Sequence, residues 1–277
     1  MIPLIINLAP TGMIPTASMT RHVPLTPERI CEDVLQCAAA GASIIHLHAR
    51  EPDGTAAWSA LRYMPIIERI RACAPELILV VSTSGRTNAT FEQRSDVLTL
   101  PAEIRTEMAS LTLGSLNFLR DASFNHPEMI ESLAARMAEQ DIKPELEVFD
   151  LGMVNVAHHL IKRGLISPPY YFNIHLGNLA TAQAKASHLG AIVTELPQDS
   201  VWSVGGIGDY QSRSILYGIA EGHGVRVGIE DNIWLNPERI QLATNFDLVK
   251  MVCSVSWAIG RPISTPEQTR ALLGLSR

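Results

Sequence analysis

Short apolar runs alternate with amphipathic stretches along this whole chain, and that alternation limits the fold more than any single motif. The runs at 4–8, 44–50, 77–81, 108–113, 143–149, 171–176, 200–204 and 225–229 have the β-branched, apolar character of buried strands. Between and after them, 26–41, 61–72, 91–100, 126–140, 155–163, 180–189, 210–221 and 237–259 read as helices, with a short tail helix from Pro266. The first helix carries full punctuation: Thr26 as cap, Pro27 at the first position, acidic Glu28, and Gly41 as the stop. Eight strands alternating with eight helices over about 260 residues imply parallel strands joined by helical crossovers, as in a (β/α)8 TIM barrel spanning 1–277 as one domain. A doubly wound open sheet is the alternative. It would usually place Gly-x-Gly-x-x-Gly after the first strand, where this chain has Ala9-Pro10-Thr11-Gly12-Met13. The later Gly205-Gly206-Ile207-Gly208 reads equally well as a tight turn at the barrel top.

The second strand, Ile44-Ile45-His46-Leu47-His48-Ala49-Arg50, runs into a loop at 50–55. Side chains alternate faces along a strand, so His46 and His48 share one face and Ile45, Leu47 and Ala49 the other. Two imidazoles side by side can seat one zinc-like ion, or can be core histidines bonded to their neighbours. The motif alone leaves both readings open.

Composition narrows the function classes. A formal net charge of −6 argues against a nucleic-acid partner, which needs a basic surface. The four cysteines, Cys31, Cys37, Cys73 and Cys253, form no Cys-x-x-Cys pair and read as buried thiols of a reducing, cytoplasmic setting. No run approaches the length of a membrane helix, and the apolar start at 1–9 lacks the positive charge of a secretory leader.

Active-site groups of a barrel come from the C-terminal ends of its strands. Those ends offer Asn7 and Thr11, His46 and His48, Ser82 and Thr83, Ser110 and Thr112, Glu145 and Glu147, Asn173 and His175, then Arg226, Glu230 and Asp231. Alternation turns Glu145, Glu147 and Arg226 toward the lumen, where a carboxylate is costly unless paired or bound to metal. His46, His48 and Glu230 form a two-histidine, one-carboxylate set, a catalytic type of zinc site that leaves positions for water or substrate. Such an ion could polarise a keto oxygen, with Asp231 as the base on a carbon acid and Arg226 as a permanent cation beside it. The other reading of Arg226, Glu147 and Asp231 is a structural ion-pair network.

The sequence resembles the β-keto acid cleavage enzymes, the family of 3-keto-5-aminohexanoate cleavage enzyme. The matching stretches run nearly end to end: Thr11-Gly12, Gly41-Ala42, His46-Leu47-His48, Ser82-Thr83 with Gly85, Met108-Ala109-Ser110-Leu111 through Leu116-Asn117-Phe118, Pro144-Glu145-Leu146-Glu147-Val148, Gly206-Ile207-Gly208 and Arg226-Val227-Gly228-Ile229-Glu230-Asp231-Asn232. The resemblance implies a (β/α)8 barrel, a homotetramer, and one zinc ion held by His46, His48 and Glu230. It also implies acetyl-CoA as co-substrate. The β-keto acid and acetyl-CoA would give acetoacetate and the CoA ester of the shortened acid. In that scheme Asp231 removes the proton between the two carbonyls, the enolate attacks the thioester, CoA moves to the adjacent acyl carbon, and a retro-Claisen step releases acetoacetate. Arg226 and Glu147 match the residues supporting the base. Ser82, Gly85 and Ser110 match substrate-contact positions.

One departure concerns the substrate. The member that acts on an amino substrate holds the ammonium group with a carboxylate where this chain has Ile14. An ammonium against isoleucine loses its charge pair, so the substrate is expected to lack a distal amino group. Arg21 and His22, on the same loop, leave room for an anionic tail such as that of 3-ketoadipate. Three rivals fit less of the pattern. Amidohydrolase-type metal hydrolases carry His-x-His on the first strand and further histidines on strands five and six; here strand five has none and strand six offers His175. A class II aldolase-like lyase would share the chemistry without CoA. A non-catalytic binding barrel would be expected to have lost one of His46, His48, Glu230, Asp231 or Arg226, and all are present.

Overall fold

The structure is a computed structural model and describes residues 1–86 and 89–276. Eight parallel strands close into a barrel: β1 (Ile5–Leu8), β2 (Ile44–Leu47), β3 (Ile78–Val81), β4 (Met108–Thr112), β5 (Lys143–Val148), β6 (Tyr170–Leu176), β7 (Ser200–Gly206) and β8 (Gly224–Val227). Each strand pairs with its neighbour in the chain, and β8 closes on β1 with Asn7 opposite Arg226. The crossovers are α1 (Pro27–Ala40), α2 (Ala60–Cys73), α3 (Phe91–Asp96), α4 (Pro127–Glu139), α5 (Leu151–Lys162), α6 (Ala186–Thr194) and α7 (Gln211–Ala220), followed by α8 (Asn245–Ala258) and α9 (Pro266–Leu273). This is the expected TIM barrel. Among the described residues no helix is long and apolar enough to cross a membrane.

Strand alternation sorts the core into two parts. Outward residues such as Ile6, Ile45, Leu47, Leu79, Leu146, Val204 and Val225 pack under the helices. Inward residues Ile5, Ile44, Ile78, Val80, Met108, Tyr171 and Val201 fill the bottom of the lumen, where Leu273 of α9 joins them. The polar inward residues therefore begin halfway up the barrel, over a dry floor.

Helix starts follow the sequence signals. Thr26 Oγ1 accepts from Arg29 N at 3.3 Å, and Gly41 ends α1 at φ 128°. Boundaries differ where side chains compete with the helix. The helix expected at 180–189 begins at Ala186, because Gln183 Nε2 donates to Asn178 O and Thr181 O, each at 2.8 Å, and holds the preceding segment as a turn. The 237–259 stretch, expected to hold one or two helices, holds one, Asn245–Ala258; before it, Asn236 Oδ1 accepts from Ile240 N and Gln241 N in a closed loop. The 91–100 stretch tightens to a 3-10 turn at Val97–Thr99. The last strand stops at Val227 rather than 229, since Gly228 breaks it. The loop at 50–55 is the tip of a small hairpin pairing Ala49–Arg50 with Ala56–Ala57. Cys31 and Cys37 are buried as expected, whereas Cys73 ends α2 exposed and Cys253 is half-buried.

A buried carboxylate ties α9 to the base of the barrel. Glu107 accepts from Arg71 Nη2 and Arg270 Nη2, each at 2.7 Å, and from Leu79 N at 2.9 Å. Burial pushes its carboxyl pKa up, but the two guanidinium groups and the amide outweigh it and hold the pKa below the usual 4.5. The ion pair thus stabilises the fold above the unfolded-state pKa, and this contribution is lost as pH falls through the lower folded-state value. Glu107→Gln is expected to lower unfolding free energy by about 3 kcal/mol at neutral pH, with the gap to the parent narrowing in acid. Urea titrations at neutral and acidic pH check both.

Candidate active site

The lumen above the apolar floor is polar by layers. Glu145, fully buried, is the lowest charged group. Its Oε1 accepts from Asn7 Nδ2 and, at 3.2 Å, from Asn173 Nδ2, while Tyr171 OH lies within hydrogen-bond distance of Asn7 and of Ser203 Oγ. Its Oε2 meets His46 Nδ1 at 2.7 Å. A histidine whose Nδ1 is engaged by a carboxylate keeps Nε2 for a ligand, the usual orienting arrangement behind a metal-binding imidazole.

His46 and His48 share the lumen face, their rings 5.2 Å apart. His48 Nε2 lies 3.2 Å from Glu230 Oε1. The nitrogen and oxygen atoms of His46, His48 and Glu230 gather within 4.8 Å of one another, and Glu230 Oε2 is buried with no hydrogen-bond partner. Two imidazoles, a carboxylate and an orphaned carboxylate oxygen fit a divalent cation of the zinc type. His46, Glu145 and Glu147 make a second cluster of the same span. There, however, Glu145 is already filled by Asn7, Asn173 and His46, and Glu147 Oε2 takes the Thr112 hydroxyl at 2.6 Å. The first set is the better cation site.

Glu230 reaches the histidines because the chain turns sharply after β8. Gly228 has φ 159°, and a Cβ on it would lie 2.0 Å from Ala9 O. Ile229 N donates to Asn245 Oδ1 at 2.8 Å, Gln211 Nε2 to Gly228 O at 2.9 Å, and Gly208 N to Asp231 O at 2.7 Å, so this short segment is held from three sides. On the far side, Gly12 sits at φ 64°, and a Cβ there would come within 2.5 Å of Glu230 Cγ. Arg50 fixes that loop by donating to Gly12 O at 3.0 Å and Pro15 O at 2.9 Å.

Arg226 sets the electrostatics. Its Nη2 donates to Glu230 at 2.7 Å and its Nε to Asp231 Oδ2 at 3.0 Å; Nη1 faces Glu147 at 3.7 Å and Glu145 at 4.0 Å. Burial works against the guanidinium, but the four carboxylates hold its pKa well above the ordinary value. Burial also opposes ionisation of Glu230, yet His48, Arg226 and His46 keep it well below the usual carboxylate range. Asp231 moves the other way: burial and neighbouring Glu230 raise it against the pull of Arg226. A carboxylate more basic than usual beside one that is strongly acidic separates a base from a ligand. Burial likewise raises Glu147.

The expected site residues are distributed as follows. His46, His48, Glu230, Asp231, Arg226 and Glu147 converge. Ser82, just past β3, and Ser110, midway along β4, are buried; Ser82 Oγ accepts from Ser84 N and Ser110 Oγ from Thr83 N, at 3.3 and 3.2 Å. Gly85 is packed against Phe124 O and Arg94 Nη1, which a Cβ would meet at 2.5 and 2.9 Å. Ile14 is 40% exposed on the loop that Arg50 pins. Arg21 and His22 line a surface groove with Gln241, Leu242 and Asp247. Arg50, Asn245 and Gln211 carry no motif signal and emerge only from the fold. Arg86, stacked 3.5 Å over the Phe118 ring, also emerges there.

Residues 3–275 match the family model described as beta-keto acid cleavage enzyme. A 3-keto-5-aminohexanoate cleavage enzyme from Fusobacterium nucleatum subsp. nucleatum is 36% identical over 275 residues, covering 99% of this chain and 98% of that protein. A 3-oxoadipate:acetyl-CoA acetyltransferase from Cupriavidus necator is 35% identical over 276 residues, covering 99% and 95%. Among solved structures, the apo form of ObcA superposes with a TM-score of 0.82 at 21% identity, over 92% of this chain and 66% of that one, a likeness of fold.

Gly12→Ala is expected to displace Glu230 and strain the loop together, lowering stability by about 1–3 kcal/mol. Chemical denaturation measures the loss, and a Gly54→Ala control, at φ 85° but with open space around its Cβ, separates backbone strain from the clash.

Proposed function

The chain belongs to the β-keto acid cleavage enzyme family, and on that premise we propose that it is a zinc-dependent acyltransferase converting a β-keto acid and acetyl-CoA to acetoacetate and the shortened acyl-CoA. The observation carrying this reading is the convergence of His46, His48 and Glu230 beside Asp231 in a buried lumen. His46, His48 and Glu230 would hold the ion, which supplies Lewis-acid polarisation of a keto oxygen. Asp231 takes the proton from the carbon between the two carbonyls; its raised pKa and the Arg226 Nε contact suit a base that must be aimed. Arg226 steadies Asp231 and Glu230 in one orientation through two different nitrogens. Glu147, fixed by Thr112, balances the third nitrogen of that guanidinium from 3.7 Å. Ser82, Gly85 and Ser110 are assigned to substrate contact. The reaction then balances: the nucleophilic carbon forms a bond to the acetyl group, CoA passes to the neighbouring acyl carbon, and cleavage frees acetoacetate.

Two relatives of nearly equal identity carry names with different substrates, an amino-substituted keto acid and a dicarboxylate. Identity therefore does not choose between them, and the choice rests on Ile14. An apolar side chain at the mouth disfavours an ammonium group, so the substrate lacks a distal amino group. The enzyme is proposed to be a cytoplasmic homotetramer, as the family resemblance and the free thiols suggest.

The test is mass analysis of CoA esters after incubating metal-loaded protein with acetyl-CoA and a panel of β-keto acids. Acetoacetate and a new acyl-CoA are expected; no CoA ester from any acid, with metal shown present, overturns the proposal. His46→Ala is expected to lose metal and turnover together. Asp231→Asn is expected to keep metal by elemental analysis while turnover falls about 10²–10⁴-fold.

A further inference from the structure

His175, at the upper end of β6, is 2% exposed, yet neither ring nitrogen has a hydrogen-bond partner among the described residues. The residues below it on the same face of β6, Tyr171 and Asn173, both bond into the Glu145 layer. His175 stands one step above that layer. Its ring lies flat on Phe149, with centroids 4.5 Å apart and planes 7° from parallel. The stack explains why a planar ring is here, but phenylalanine would stack as well. What the stack leaves unexplained is the imidazole's two hydrogen-bonding atoms, whose burial without a partner is costly. Glu147 Oε1 is 3.9 Å from Nε2, beyond hydrogen-bond distance.

A second unpartnered donor lies two strands along the barrel wall. Arg226 Nη1 is buried with no hydrogen bond of its own, although its sister nitrogens are engaged. Between His175 and Arg226 in the sheet is Gly205, paired with His175 in register, and a Cβ there would come within 3.2 Å of Arg226 Cβ. Position 205 therefore adds no side chain between the two donors, and Glu147 Oε1, 3.9 Å from His175 Nε2 and 3.7 Å from Arg226 Nη1, borders both without bonding either. Burial and the nearby Arg226 charge also hold the His175 pKa well below 6.5, so the ring is a neutral donor at physiological pH. A neutral imidazole N–H beside a fixed cation suits an oxygen on which negative charge develops.

We propose that His175 is a further substrate-contacting residue, donating a hydrogen bond through a ring N–H to a charge-bearing acyl oxygen that Arg226 Nη1 also faces. The inference rests on the proposed reaction. Two substrates offer such an oxygen, the β-keto acid and the acetyl thioester, and two assays distinguish them. Deuterium exchange at the carbon between the carbonyls, followed by NMR without acetyl-CoA, reads the first. Acyl-CoA formation reads the second.

His175→Phe keeps the stack and removes the donor, and is expected to retain metal content and melting temperature while acyl-CoA formation falls about 10²–10³-fold in kcat/KM. Exchange falls with it if the oxygen belongs to the keto acid, and stays at the parent rate if it belongs to the thioester. His175→Gln, which can still donate, recovers part of the loss. In the parent, the side-chain ¹⁵N resonances of His175 are expected to shift when the substrate carrying that oxygen is added, a readout that stands even if a variant folds poorly. Parent-like rates for His175→Phe in both assays, or a loss that vanishes in a Glu147→Gln background, overturn the contact. A parent protein that forms no CoA ester overturns the proposed reaction instead.

Discussion

One buried guanidinium governs the mouth of this barrel. Arg226 touches Glu230 and Asp231 and faces Glu145 and Glu147, four carboxylates inside a lumen that excludes most water. Carboxylates this close in a weakly screening medium repel one another and drift toward their protonated forms. Arg226 prevents that selectively. His48 and Arg226 together keep Glu230 strongly acidic, while burial raises Asp231 and Glu147 against the pull of Arg226, so the cluster is graded rather than uniformly neutralised. A lysine could not do this, because a single ammonium lacks the fork that engages Glu230 through Nη2 and Asp231 through Nε. One cation against four acids also leaves the cluster short of positive charge, and the histidine pair sits where a divalent ion would supply it.

The scaffold serves that balance at close tolerance. β8 must end early for Glu230 to swing to the histidines, and the end is made by a glycine pressed against Ala9 O. Asn245, at the start of α8, then catches Ile229 N, while its Nδ2 donates to Pro10 O at 3.0 Å. The loops after β1 and β8 are thereby sewn to one another. Glu145 performs the matching task for His46, anchored from below by Asn7 and Asn173. His46 is thus fixed by a neighbour from another strand, and Glu230 and Asp231 by Arg226 of the strand they follow.

Much of this was legible in the chain. Strand alternation is a local property, so it assigns Ile45, Leu47 and Ala49 to the outer core and His46 to the lumen correctly. It also turns Glu145 and Glu147 inward. It cannot say that Glu145 is the partner of His46, because that depends on the stagger between β2 and β5, which are not neighbours in the sheet. Asn245 and Arg50 escape for the same reason: they act on backbone atoms of segments remote in sequence, which no side-chain pattern reveals. The boundaries of α6 and α8 differ from the sequence expectation where Gln183 and Asn236 bond to nearby backbone and hold turns that composition would allow to be helix. Arg21 and His22, on the same loop as Ile14, line a groove beside Leu242 and Asp247, a placement that depends on contacts with a segment more than 200 residues away.

The lumen floor and the rim are built differently. The charged cluster stands on strands or within four residues of a strand end: His46, Glu145, Glu147 and Arg226 on strands, His48, Glu230 and Asp231 just beyond them. Ile14 and Arg86 stand on loops: the first exposed and tied down by Arg50 through backbone carbonyls alone, the second stacked on Phe118. Because Arg50 contacts only the main chain of the loop, the side chain at position 14 can change without loosening Gly12 or the Glu230 it abuts. Chemistry and selectivity are then separable in physical terms. The carboxylate network cannot lose Arg226 without leaving four buried acids uncompensated, whereas the rim can exchange an apolar group for a charged one at the cost of a surface substitution.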